Sequence, residues 1–194
     1  SFDEPDRLQC EMGRQGTPLD ASRGLRSYLK FWRFMKVLVS GASGFVGNEL
    51  TTFLRASGHH VAALVRNERE VDGEAIFWDP DREIVDLDAI EGFDAVIHLA
   101  GESIAGGLWT KARKKRILES RVHGTETLAN ALRKLRKPPQ AFITASAIGY
   151  YGDHGNTYCN ERSSPGTGFL ASVCQQWEAA AAPAESKGIR TVRL

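Results

Sequence analysis

From Lys36 onward, short apolar runs alternate with stretches whose apolar residues recur at helical spacing. That alternation predicts an α/β fold, a parallel sheet covered by helices. Lys36-Val-Leu-Val-Ser40 reads as the first strand. The next segment places Val46, Leu50, Phe53 and Leu54 on one helical face, and Gly58 closes it. His60–Val65 and Ala75–Trp78 read as the second and third strands. Ala95–Ala100 is apolar nearly throughout, as expected of a parallel strand buried on both faces. A long helix runs from Thr110 to Lys137 with a stripe of Leu118, Val122, Leu128, Leu132 and Leu135, and Pro138-Pro139 stops it. Ala141–Ala145 gives a fifth strand, and Gly168–Ser186 a helix that buries Leu170, Val173, Cys174 and Trp177. Ile189–Leu194 begins a sixth strand. The expected strand order is 3-2-1-4-5-6, a doubly wound sheet.

The first 34 residues lack this pattern and read as an N-terminal extension or linker, with residues 35–194 as the folded domain. Asp3, Glu4, Asp6, Glu11 and Asp20 make a poor transit peptide, and no signal-peptide apolar core is present. Met35 stands directly before the first strand as an alternative start, and Leu194 falls inside a strand, so both ends read as cut.

Composition narrows the class further. With 42% hydrophobic and 25% charged residues and a net charge of +1, nothing pulls the chain toward nucleic acid or membrane. The basic excess between Lys111 and Lys137 reads as a solvated helix face. Cys10, Cys159 and Cys174 have neither metal-ligand spacing nor an even count, so no metal site is expected and a reducing cytoplasm is the simpler home. No apolar run approaches the ~20 residues needed to span a bilayer.

Chemistry concentrates after the first strand, in Gly41-Ala-Ser43-Gly44-Phe45-Val46-Gly47. Glycines at intervals of three, between strand and helix, allow a tight turn, a close backbone approach to a pyrophosphate, and close helix packing. The helix N-terminus then holds phosphate charge. This predicts a Rossmann-type dinucleotide site, against the plainer reading of a structural turn. Arg66 lies at the end of the second strand, where NAD-selective proteins commonly carry an acid. A guanidinium there favours NADP over NAD by pairing with a 2′-phosphate, unless Arg66 is simply a surface arginine.

Three further segments add a resemblance. Leu99-Ala-Gly-Glu-Ser-Ile104 leads to Trp109 and Glu119-Ser-Arg-Val122, and Val122-His-Gly-Thr125 follows. Ser146-Ala-Ile-Gly-Tyr-Tyr-Gly-Asp153 leads to Glu161, Pro165 and Trp177-Glu178. From Lys36 to Leu194 the chain resembles the atypical, extended branch of the short-chain dehydrogenase/reductases, the "epimerase family" of nucleotide-sugar-epimerase-like proteins. The resemblance implies an NAD(P) domain whose smaller substrate-binding portion lies beyond Leu194. It implies cofactor contacts from the glycine loop, Arg66, Leu99, Ala100 and Gly101, and an adenine contact from Asp79, which an Asp-Pro turn also explains.

The superfamily places a tyrosine and a lysine four residues apart on the helix after strand five, as a proton relay. Leu170 and Cys174 occupy those positions here, so that face is apolar. Ser146, Tyr150 and Tyr151 are the hydroxyls nearest the expected reaction centre, although Ser146 as a loop cap and the tyrosines as loop packing are equally open readings. His98 reads as a buried partner to backbone rather than a base. Two functions follow: an oxidoreductase or epimerase acting on the hydroxyl or carbonyl of a small, nucleotide-sugar-like substrate, or a non-catalytic NADP-binding module that reports redox state. A homodimer fits either.

Overall fold

The computed structural model describes residues 34–71 and 73–194, so the expected N-terminal extension lies outside them apart from Phe34. Six parallel strands are β1 (Lys36–Ser40), β2 (His60–Val65), β3 (Ala75–Asp79), β5 (Ala95–His98), β6 (Ala141–Thr144) and β7 (Arg190–Arg193). A seventh, β4 (Ile84–Val85), pairs antiparallel with β3. The sheet order is β4-β3-β2-β1-β5-β6-β7. The predicted six-strand order therefore holds, with β4 as an unforeseen addition at one edge. Two residues are too few for a periodic signal, and the chain reverses there through Glu83 at φ 56°.

Alternate residues of each strand face opposite sides. Leu38, Leu64, Val96 and Phe142 pack on one side with Leu128 and Leu132 of the long helix α2 (Lys111–Lys134). Val37, Val39, Val61 and Ile97 pack on the other with Leu50 and Leu54 of α1 (Phe45–Ala56). The expected α1 face needs correction. Gly47 and Thr51 are its buried line, while Val46 and Phe53 are 62% and 67% exposed. A Cβ at Gly47 would meet the Gly41 carbonyl, so no side chain fits there, and of the four expected residues only Leu50 and Leu54 pack against the sheet.

On α2 the buried line runs through Ile117, Gly124 and Leu128, with Leu118 and Val122 only half-buried. Thr110 caps this helix by accepting from the Arg113 N–H at 3.2 Å. The expected single helix over Gly168–Ser186 is two, α3 (Phe169–Ala179) and α4 (Ala182–Ser186). Pro183 sits in the first turn of α4, where its missing N–H costs nothing; inside one continuous helix it would break the ladder. No helix among the described residues is long and apolar enough to cross a membrane.

Candidate cofactor site

β1 ends at Ser40, and the chain turns at once through Gly41 at φ +72°. A Cβ at Gly41 would lie 2.8 Å from the Ala100 nitrogen, and one at Gly47 would lie 2.1 Å from the Gly41 oxygen. Gly44 donates its N–H to the Gly41 carbonyl at 3.0 Å and starts α1. No side chain caps α1, and no acid stands in its first turn. Its first amides therefore offer partial positive charge to a cradle that side chains would fill. Those features fit a pyrophosphate.

A cleft of about 930 Å³ runs from this loop past the ends of β2, β3 and β5. Gly41, Ser43, Gly44, Arg66, Asp79 and the Leu99-Ala100-Gly101 turn line it. Gly47 belongs to the packing behind the loop. Phe45, 93% exposed, and Val46 are not on the lining. Arg66 has no ion pair or side-chain hydrogen bond among the described residues, which leaves its guanidinium available to an anion. Asp79 is partly engaged elsewhere. Its Oδ1 accepts from the Asp81 and Arg82 N–H groups at 3.0 and 3.2 Å, and its Oδ2 lies 3.6 Å from Arg82 Nε. It is therefore both cleft wall and turn cap.

Beneath the cleft, Ser40 and His98 are fully buried, with the Ser40 hydroxyl 2.5 Å from His98 Nδ1. Ser40 Oγ also accepts from the Ala100 N–H at 3.4 Å, and His98 Nε2 has no partner. If Ser40 donates to Nδ1, one group stays unsatisfied; the opposite tautomer leaves two. Burial pushes the imidazole down to about 4, so His98 is neutral near pH 7. It is buried as expected, but its partner is a hydroxyl rather than backbone.

Past β6 the polar groups engage one another. Ser146 donates its N–H to the Leu194 carbonyl at 2.6 Å and its hydroxyl to Glu178 Oε1 at 2.5 Å. Ile148–Tyr151 form one 3-10 turn, with the Tyr150 and Tyr151 rings edge to face at 5.4 Å. Partial burial, then the Glu161 charge, raises the Tyr151 phenol above its ordinary value. The turn lies on α3: a Cβ at Gly149 would come 3.3 Å from Leu170 Cβ and 3.8 Å from Cys174 Sγ. Cys174 donates weakly to the Ala147 carbonyl at 3.8 Å, and burial raises its thiol, so it is no thiolate substitute.

The loop after β5 is fastened to α2. Ser120 Oγ accepts from the Glu102 N–H at 3.0 Å, while Arg121 Nη1 donates to the Glu102 carbonyl at 2.9 Å. The Arg121 guanidinium lies 5.1 Å over the Trp177 ring of α3. The profile of the NAD dependent epimerase/dehydratase family matches residues 37–193. The chain belongs to that family.

Epimerase family protein ML0860 of Mycobacterium leprae is 37% identical over 156 residues, 80% of this chain and 50% of that one. The crystal structure of the nucleoside-diphosphate sugar epimerase from Corynebacterium glutamicum aligns with a TM-score of 0.73 at 37% identity, covering 84% of this chain and 33% of that one. The human epimerase family protein SDR39U1 (isoform 2), solved with NADPH, aligns at 0.66 with 33% identity, covering 76% and 48%. The chain thus spans about half the length of the curated relatives it matches.

Within the family frame, the structure explains two motifs that sequence reasoning left without a role. Glu119-Ser-Arg121 fixes the backbone of the Gly101-Glu102 loop, and Trp177-Glu178 supplies the ring under Arg121 and the carboxylate on Ser146. Asn48, Thr51 and Asn67 line the cleft as well. Thr51 stands one turn beyond Gly47 on the same helix face, and that i, i+4 spacing was the available signal.

Proposed function

We propose that the cleft binds NADP in preference to NAD and that the chain is the cofactor domain of an oxidoreductase or epimerase acting on a hydroxyl or carbonyl. The observation that carries this is Arg66, unpaired at the mouth of a cleft whose other end is the glycine cradle. A guanidinium can give a 2′-phosphate two charge-assisted hydrogen bonds. The NADPH-bound human relative supports the same choice. Arg66→Ala should weaken NADPH binding by about 1.5–3 kcal/mol and leave NADH nearly unchanged. Equal losses for both, read by calorimetric titration, would reject it.

A nicotinamide bound in this cleft would supply hydride exchange. The chain supplies hydroxyls: Ser146, its proton directed at Glu178, keeps lone pairs free to accept from a substrate hydroxyl, and Tyr150 or Tyr151 handles the proton. The substrate class is a small, nucleotide-sugar-like molecule, as the Corynebacterium relative's name supports. A second reading, a non-catalytic NADP-binding module, draws on one observation. The Leu170/Cys174 face is covered by the Gly149 turn instead of facing a reaction centre.

A further inference from the structure

Beside the main cleft, and sharing Arg66, Trp78, Ala100 and Gly101 with it, lies a pocket of about 350 Å³ whose far wall is α2. Arg116 of α2 lines this pocket with Arg66. The basic residues around Arg116 are committed elsewhere. Arg113 donates to the Ser103 and Ala105 carbonyls at 2.9 and 2.8 Å, Lys115 pairs with Glu119 at 3.5 Å, and Arg121 holds Glu102. Lys114 lies 5.2 Å over the Phe169 ring. Arg116, like Arg66, has no hydrogen bond, ion pair or ring contact among the described residues.

Two of the three acids that line the pocket answer to other cations. Glu119 is held by Lys115, and Glu102 acts on the Arg121 guanidinium, leaving Asp81 exposed. Helix energetics do not explain the cations either. The first turn of α2 has no acid, and Lys111, Arg113, Lys114, Lys115 and Arg116 crowd the end where the helix dipole is already positive. Two free guanidinium groups on the lining of one pocket suit a dianion.

We propose that Arg116 is a second cofactor-selectivity residue, which acts with Arg66 on the 2′-phosphate of NADP from the α2 side. This rests on the NADP reading above. Arg66 supplies the bidentate contact at the end of β2, and Arg116 adds a positive charge across the pocket. NADH, lacking the phosphate, gains nothing from either.

The test is calorimetric titration of the chain with NADPH and with NADH, comparing wild type, Arg116→Ala, Arg116→Lys and Arg66→Ala. Arg116→Ala should weaken NADPH about fivefold and shift NADH less than twofold, the size of a partly exposed charge contact. Arg116→Lys should recover most of the loss, which a role in packing would not allow. Unchanged NADPH affinity in Arg116→Ala, or equal weakening of both cofactors, overturns the assignment. If Arg66→Ala is selective while Arg116→Ala is not, only Arg116 loses its role. If Arg66→Ala spares NADPH as well, the NADP reading falls with it.

Discussion

Around β1, β2 and β5 the rim of the sheet leaves the first amides of α1 and the Arg66 guanidinium free, whereas past β6 Ser146 is tied to Glu178 and the Leu170/Cys174 face is covered. The first region excludes side chains at Gly41 and Gly47, opens the start of α1, and leaves Arg66 without a partner. The second ties Ser146 to Glu178, stacks the two tyrosines edge to face, and closes the Leu170/Cys174 face with the Gly149 turn. A site that awaits a ligand keeps unsatisfied groups exposed. One that is tied internally, as Ser146 is to Glu178, has only its lone pairs left to offer. The glycine loop keeps the form expected of the family, while the face on which the resemblance implies a proton relay is apolar and covered.

The sharpest way to break this contrast is at the tyrosines. If one carries the proton, Tyr150→Phe or Tyr151→Phe should lower turnover by about 10²–10⁴-fold with NADPH affinity intact. Hydride transfer over a panel of carbonyl and nucleotide-sugar substrates measures it. Alcohol oxidation that depends on Tyr151 should rise with pH to beyond 10, because its phenol ionises only above its ordinary value. Clear wild-type activity untouched by either change would move the relay elsewhere.

The next largest effect belongs to His98 beneath the cofactor cleft. Its folded value of about 4 lies below the ordinary 6.5. The unfolded chain therefore takes up a proton first as pH falls. The stabilisation is complete above 6.5 and drains between 6.5 and 4, by about 3 kcal/mol. Urea melts across that window should show this loss in wild type and a flatter dependence in His98→Gln. Parallel slopes would show that the imidazole takes up its proton at the same pH in the folded and the unfolded chain.

The smallest effect tests the covered face. Installing Leu170→Tyr with Cys174→Lys should not create a relay, because Ala147 and Gly149 already occupy that surface. Overpacking should instead cost about 1–3 kcal/mol in thermal unfolding. A stable double variant that gains turnover would mean that the turn can swing aside.

Much of the first region was legible in the sequence, and much of the second was not. The glycine loop announces itself because local backbone demands leave few residue choices, and Arg66 follows from its place at a strand end. Half of the α1 face was legible: Leu50 and Leu54 pack on the sheet as their spacing implies, but periodicity counts hydrophobic size and overlooks Gly47, whose missing side chain makes room for the Gly41 carbonyl. The α3–α4 break hid in an alanine-rich run whose proline is also tolerated at a helix start. The Ser146–Glu178 bond joins residues 32 apart, and no local pattern encodes such a pairing.

The two-residue β4 has one more consequence. Open sheet edges are templates on which a second chain can add a strand, and short edges bounded by charge resist this. At the β4 edge, Glu83 sits in a left-handed turn and Asp86 uses its carboxylate to cap the next turn, so an incoming strand finds almost no ladder to extend. Strand-to-strand association at this edge is thereby discouraged, which keeps the flank that carries Arg66 and the adjoining cleft clear of a second copy.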